Sequence, residues 1–268
     1  MRALRLVFAI TAVLAAGAAV AAAQNGPPTV TITASSTAVS AAPVPVAPGA
    51  TRFEFVSDGV AGGVFLAAPR PGRTYDEAVA AVRANPDDSL EVVDIVASAS
   101  LTPGGRRAIT VDIEPGRTYL LVNDAGKENP ADWAFSPLPT GGAPTGATAP
   151  RPDATIVMRD LRFGGASRLP RDGTIRVQNV GWAPHFAIAA PLRAAARERA
   201  VSRALLRNQD RALGRLLQFN RSFEVTNILT RGASADQEVT FRKRGRYVLL
   251  CFFEGHAAQG MFRFVSVR

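Results

Sequence analysis

Reactive side chains are scarce in this 268-residue chain, which has one cysteine and two histidines. A single cysteine forms no disulfide within its own chain, so Cys251 must be buried and inert, pair with another molecule or bind a metal. The chain also lacks a G-x-S-x-G motif, a P-loop and a G-x-G-x-x-G loop in a suitable context. These absences argue against esterase-like hydrolases and nucleotide-binding enzymes.

Long apolar runs are also scarce, and the clearest one lies at the start of the chain. Arg2 and Arg5 precede an apolar run over 6–20, which ends in three alanines. This pattern predicts a signal peptide over 1–23, cleaved near Ala23, and the run is too short for a membrane anchor. We therefore expect an exported protein, periplasmic or extracellular, without a transmembrane segment.

Charge is distributed unevenly along the rest of the chain. Residues 24–150 carry 8 Lys or Arg against 13 Asp or Glu, whereas residues 151–268 carry 21 against 9. The basic second half is expected to attract acidic partners. Nucleic acid is not an expected partner, because the chain has no recognition motif and is predicted to be exported.

Two stretches of the sequence resemble each other without gaps, namely TRFEFVSDGVAGGVFLAAP (51–69) and GTIRVQNVGWAPHFAIAAP (173–191). Further on, SLEVVDI (89–95) is matched by SFEVTNI (222–228). The same order of segments occurs twice, which indicates a duplication. Each copy has short alternating strands between Gly, Pro and Asp turns, a pattern typical of antiparallel β-sandwiches.

The sequence thus predicts an all-β protein of two tandem sandwiches, over 24–137 and 153–268. The stretch between them, 138–152, is too rich in Pro, Gly and Thr to build a core and is predicted to be a linker. Strands are expected near 28–34, 52–57, 63–67, 91–97, 107–113, 117–122 and 132–136 in the first copy, and near 154–159, 174–179, 185–189, 222–228, 237–242, 246–252 and 261–267 in the second.

A helix is predicted after the Ala-Ala-Pro of each copy. Thr74 and Glu77 form a capping-box pattern for the first. The second, 192–217, is rich in arginine, and an i, i+4 ridge opposes an apolar face. It is either a helix with a solvated basic side or a docking surface for an acidic partner or an anionic envelope polymer. The ridge consists of Arg203, Arg207, Arg211 and Arg215.

The segment CFFEGHAAQGM (251–261) contains the cysteine, a histidine and a methionine at intervals of five residues, and NVGWAPH (179–185) ends in the other histidine. A thiolate, two imidazoles and a weak axial thioether are the ligand set of a blue copper centre. Both histidines and the cysteine of the chain fall on this pattern.

These motifs resemble those of cupredoxins. NVGWAPH looks like the plastocyanin-type approach to the first copper histidine, GRYVLLC (245–251) is similar to the strand that delivers the copper cysteine, and CFFEGH is similar to the azurin loop. HAAQGM has the spacing and Gly-Met ending found in plastocyanins. The resemblance implies a Greek-key cupredoxin domain over 153–268, one mononuclear type 1 copper, and a first domain that is a degenerate copy. The implied ligands are His185, Cys251, His256 and Met261.

The sequence departs from the cupredoxin pattern at two positions. Phe186 and Phe252 replace polar residues that usually tie the two ligand loops together, so any tie must come from apolar packing. Glu254 adds a negative charge close to His256. In the first copy, Gly63 is expected at the place of His185, and residues 24–150 contain no His, Cys or Met.

Electron transfer with a redox partner protein is the function that this pattern favours. Multicopper oxidases and copper nitrite reductases need further histidines for a catalytic copper, and this chain has none to spare. We therefore expect no enzymatic activity. A copper carrier would be expected to have Met- and His-rich stretches. The alternative is a metal-free cupredoxin-like module with a structural or interaction role in the cell envelope.

Overall fold

The computed structural model describes residues 26–268, so the signal peptide predicted over 1–23 lies outside the described part. Within these residues, strands form three sheets and helices are few and short, which confirms the prediction of an all-β fold. None of the helices in the described residues is long and apolar enough to cross a membrane.

The described part of the first half contains eight strands, including one at Val39–Ala42 that the sequence pattern did not predict. Its helix α1 spans Tyr75–Ala84 with the predicted capping box of Thr74 and Glu77. A 3-10 turn spans Asp88–Glu91 and another Pro130–Asp132. The strands are β1 Thr29–Ala34, β2 Val39–Ala42, β3 Gly49–Ser57, β4 Gly62–Pro69, β5 Val93–Leu101, β6 Arg106–Ile113, β7 Thr118–Asn123 and β8 Ala134–Pro139.

The second half contains nine strands and a helical insertion, and its short strands β10 and β11 were not predicted. The strands are β9 Ala154–Arg159, β10 Arg162–Gly165, β11 Arg168–Leu169, β12 Asp172–Asn179, β13 His185–Pro191, β14 Phe223–Leu229, β15 Ser234–Thr240, β16 Gly245–Leu250 and β17 Phe262–Val267.

The helical insertion consists of two helices, so the single helix predicted over 192–217 is wrong. Helix α2 spans Glu198–Leu206 and α3 spans Asp210–Leu216, followed by a 3-10 turn at Phe219–Arg221. Asn208 has a φ of 49° and ends α2 in a left-handed turn. Its N–H donates to Leu205 O and that of Gln209 to Ala204 O, the two bonds of a Schellman motif. The arginine ridge is therefore interrupted at Arg207.

Both halves have the same strand order. One layer of the sandwich has the strand order β6-β3-β1-β2 in the first half and β15-β12-β9-β10 in the second. The other layer has the order β5-β4-β7-β8 in the first half and β14-β13-β16-β17 in the second. The first strand of each half is parallel to its neighbour, β1 to β3 and β9 to β12. The two halves are thus β-sandwiches of one topology, with Phe53, Phe55, Ile175 and Val177 fully buried between the layers.

The two sandwiches are joined by main-chain pairing as well as by the connecting chain. Strand β15 pairs with β6 through Asp236↔Thr110 and Gln237↔Ile109, so that an eight-stranded sheet crosses both halves. Thr230 N also donates to Ile95 O. The start of the predicted linker belongs to β8, which runs to Pro139. The division into domains stays a prediction.

Candidate metal centre

Three of the four predicted ligands meet at one end of the second sandwich. His185 is the first residue of β13, and Cys251 follows the last residue of β16. Because β13 and β16 are antiparallel, with Ile188 opposite Leu250, the start of one lies beside the end of the other. His256 comes from the loop between β16 and β17. The sandwich topology therefore brings together residues that are 66 positions apart.

The ligand atoms face one another at short range. Cys251 Sγ lies 3.9 Å from His185 Nδ1 and 3.4 Å from His256 Nδ1. One ligand atom from each of the three residues can be chosen so that all lie within 4.8 Å of one another. The imidazole rings are edge to face, with centroids 5.1 Å apart. Both histidines thus present the same nitrogen, Nδ1, toward the sulfur.

These distances fit a metal ion bound between the three side chains. Metal–nitrogen and metal–sulfur bonds of about 2.0 and 2.3 Å at a trigonal angle place nitrogen and sulfur about 3.7 Å apart. The observed 3.4 and 3.9 Å lie on either side of that value. A His₂Cys set with a nearby methionine is the ligand set of blue copper. The cluster therefore fits one mononuclear type 1 copper.

Burial changes the pKa values of the three side chains in different directions. His185 and Cys251 are fully buried, and His256 is half-buried. Burial lowers the pKa of both imidazoles, so they are held neutral with a free lone pair. Burial raises the pKa of the Cys251 thiol, although hydrogen bonds from the main chain of Phe186 and Phe253 oppose this effect. A bound cation would favour the thiolate.

Met261 lies beside Cys251 and is fully buried. Cys251 N donates to Met261 O at 3.3 Å, and Met261 N donates to His256 O at 2.9 Å. These bonds close the 251–261 loop and place the methionine next to the cluster. Its role as axial ligand stays a prediction.

The expected apolar tie between the two ligand loops is present. The rings of Phe186 and Phe252 are parallel within 5°, with centroids 6.3 Å apart. Phe186 also packs against Phe253, whose ring lies 5.6 Å from that of His256. Aromatic packing therefore connects the start of β13 to the loop after β16.

The surface beside the ligand loop is lined mostly by apolar residues together with Asp210 and Glu254. The connection between α2 and α3 lies against the ligand loop, and Leu205 and Ala257 line a shared cavity of about 180 Å³ with Cys251. Trp182, in the loop before His185, is 73% exposed, and the Arg231 guanidinium lies 3.5 Å from the centroid of its indole. The helical insertion and the ligand loop are thus neighbours.

Sequence reasoning missed Asp160, which lies in the turn between β9 and β10. Its Oδ1 is 3.4 Å from His185 Nε2, the nitrogen that faces away from the sulfur. Burial alone would raise the pKa of Asp160, but N–H donors from Ala183 and Trp182 and the contact with His185 lower it overall. No motif marks an aspartate in a hairpin turn as part of a site, so only the structure reveals it.

The first half has different residues at the equivalent positions. Gly62 begins β4 opposite Leu101, as His185 begins β13 opposite Leu229, so Gly62 rather than the predicted Gly63 takes the place of His185. The turn before β13 is one residue longer than that before β4, which shifts the correspondence. In the same register, Asn123 takes the place of Cys251.

Comparisons with solved structures gave cupredoxin-fold proteins. The chain is similar to reduced auracyanin from Roseiflexus castenholzii, with 19% identity over 42% of this chain and 94% of that one and a TM-score of 0.28. It is also similar to a copper nitrite reductase from Nitrosomonas europaea, with 11% identity over 89% of this chain and 93% of that one and a TM-score of 0.27. For a multicopper oxidase the identity is 12% over 89% of this chain and 88% of that one, and the TM-score is 0.28.

No protein-family model matches the chain. A comparison with curated protein sequences also gave no match. The cupredoxin-like fold of both halves follows from their own strand order and, in the second half, from the position of the three ligand residues within it.

Proposed function

We propose that the chain is an exported blue copper protein that transfers electrons outside the cytoplasm. The observation that carries this proposal is the convergence of His185, Cys251 and His256, with their ligand atoms within 4.8 Å of one another at one end of a β-sandwich. Met261, which lies beside Cys251, is the proposed axial ligand.

The side chains would hold the metal in a fixed, water-poor setting. The two neutral imidazoles and the thiolate would bind through Nδ1, Sγ and Nδ1, while the main-chain N–H groups of Phe186 and Phe253 donate to the sulfur. When bound, copper supplies a one-electron Cu(II)/Cu(I) couple. The packed Phe186 and Phe252 rings restrict movement of the ligand loop relative to the start of β13. Such rigidity favours electron transfer because little rearrangement accompanies a change of charge.

His256 is the proposed point of electron exit, since it is half-buried whereas His185 and Cys251 are enclosed. The apolar surroundings of Ala257 and the exposed Trp182 suit brief contacts with a redox partner. The arginines of α2 and α3 are exposed and would steer an acidic partner toward this end. Contact of the same helices with an anionic envelope surface is the alternative role for this charge.

An electron carrier rather than an enzyme is proposed because both histidines of the chain are used in one enclosed cluster. A second, substrate-binding copper would need further ligands that this chain does not supply. Export is proposed from the signal-peptide pattern over 1–23.

Redox titration of the copper-loaded protein tests this function. We expect one reversible one-electron couple per chain and rapid electron exchange with a small acidic redox protein, without turnover of nitrite or phenols. A loaded protein whose copper is not reversibly reduced, or which oxidises such substrates catalytically, would contradict the proposal. A protein that binds no copper would favour the metal-free module.

A further inference from the structure

Asp160 touches the outer face of a proposed copper ligand. Its Oδ1 lies 3.4 Å from His185 Nε2, while Nδ1 of the same ring points toward Cys251. The imidazole is fully buried, and the carboxylate is partly exposed. The turn after β9 therefore reaches the ligand from the side opposite the metal position.

The carboxylate is held in place by the loop that precedes His185. Trp182 N donates to Oδ1 and Oδ2 at 2.9 and 3.1 Å, and Ala183 N donates to Oδ1 at 3.1 Å. A Cβ at Gly181 would lie 2.6 Å from Asp160 Oδ1 and 3.0 Å from His185 Nε2. A glycine is therefore needed for this close approach.

An ionised carboxylate only accepts hydrogen bonds, so the facing nitrogen must carry the proton. His185 then has its proton on Nε2 and its lone pair on Nδ1, the atom that faces the sulfur. A carboxylate behind a ligand imidazole orients the ring and makes it a stronger donor. Its negative charge also favours the more positive oxidation state of the metal.

From this geometry we infer that Asp160 is a positioning residue for His185, which fixes the Nε2–H tautomer and lowers the reduction potential of the centre. This inference rests on the proposed copper function. Asp160 links the turn after β9 to the ligand loop, and so adds a polar tie at a site where Phe186 and Phe252 supply only apolar packing.

The charge effect is tested with Asp160→Asn, which keeps the shape and an acceptor oxygen but removes the negative charge. The control is Asp153→Asn, because Asp153 is exposed, lies in the same half and accepts a backbone hydrogen bond from Thr174 at 2.8 Å. We expect Asp160→Asn to weaken Cu(II) relative to Cu(I) binding about tenfold, which raises the one-electron potential by about 59 mV. The control should keep the wild-type potential. Equal potentials in the two variants would overturn the inference.

A second measurement needs neither copper nor a variant. The ¹⁵N chemical shifts of the His185 ring in the metal-free wild-type protein report its tautomer. We expect the proton on Nε2, and a proton on Nδ1 would overturn the role of Asp160. A protein that fails to bind copper would refute the proposed function, whereas the tautomer would still decide whether Asp160 positions His185.

Discussion

The two halves of the molecule build the same sheet order around different residues at the same end. In the second half, His185 and Cys251 occupy neighbouring strand ends, and Asp160 from the first hairpin turn supports the histidine. In the first half, Gly62 and Asn123 occupy the equivalent positions. There, Asn123 Nδ2 donates to the carbonyls of Ser35 and Ala38 in the corresponding turn.

This difference shows that the sandwich does not need a metal to close its end. The first half satisfies its buried polar side chain with main-chain carbonyls, as buried amides require. The second half instead places a thiol and two imidazoles facing one another, with Cys251 Sγ 3.9 and 3.4 Å from the Nδ1 atoms of His185 and His256. Metal binding is thus a property of a few residues at one edge and not of the fold.

Replacing Cys251, which has Asn123 as its equivalent in the first half, should have the largest effect on the copper absorption. We expect Cys251→Ser to abolish the thiolate-to-copper charge-transfer absorption completely. Asn123→Ala, at the equivalent position of the first half, should keep the absorption and lower the free energy of unfolding by about 1–3 kcal/mol, because it leaves buried main-chain groups unpaired. Visible spectra and urea unfolding curves distinguish the two variants. Loss of the colour in both would show that the halves are not separable in this way.

The affinity of the second half for Cu(II) should depend strongly on pH. The raised pKa of Cys251 keeps the thiol protonated near neutral pH, and the lowered pKa values of His185 and His256 keep the imidazoles neutral. Binding then releases one proton, so the Cu(II) affinity should rise about tenfold for each unit of pH increase in this range. Calorimetry in buffers of different ionisation enthalpy counts the proton. Binding without proton release would show that the thiol is not a ligand.

Met261 should affect the spectrum less than Cys251 does. We expect Met261→Gln to retain a coloured centre with a changed spectrum and potential, because the axial ligand is weak. Met158→Leu is the matched control, since Met158 is also fully buried in the second half and the exchange nearly conserves volume. If Met261→Gln leaves the spectrum unchanged, as the control does, Met261 is not a ligand.

Charge reversal on the helical insertion should have the smallest effect. Arg203→Glu with Arg211→Glu is expected to slow electron exchange with an acidic redox protein about two- to tenfold at low salt and to flatten its salt dependence, because steering is screened by ions. Reversal of Arg73 and Arg106, exposed arginines of the first half, should leave the rate unchanged. Stopped-flow measurements at several ionic strengths give these rates. If the rate depends neither on salt nor on the reversal of Arg203 and Arg211, the basic surface does not steer a partner and is only solvated.

The sequence predicted the sandwiches because they depend on local patterns. The meeting of His185, Cys251 and His256 was expected instead from the resemblance of their flanking motifs to those of cupredoxins. The alternation of Phe53 with Phe55, and of Ile175 with Val177, indicates one buried face of a sheet. The short spacing between Cys251 and His256 indicates a loop. The break between α2 and α3 was missed although Asn208 is a recognisable helix terminator. Propensity alone did not outweigh the strong apolar periodicity on both sides.

Features that depend on pairing between distant segments were not predictable. The join of β15 to β6 involves two residue pairs with no distinctive sequence. The shift from Gly63 to Gly62 follows from one extra residue in a turn, which an ungapped comparison hides. Asp160 contacts His185 across 25 positions of the chain, so its role depends on tertiary structure alone.

The central claim is that the second half binds one copper through Cys251 and two histidines while the first half binds none. Titration of the metal-free protein with Cu(II), followed in the visible spectrum, tests it most directly. We expect an intense absorption near the red end of the visible that increases linearly and stops at one equivalent per chain. A protein that stays colourless, or whose colour continues to grow beyond one equivalent, would contradict the account.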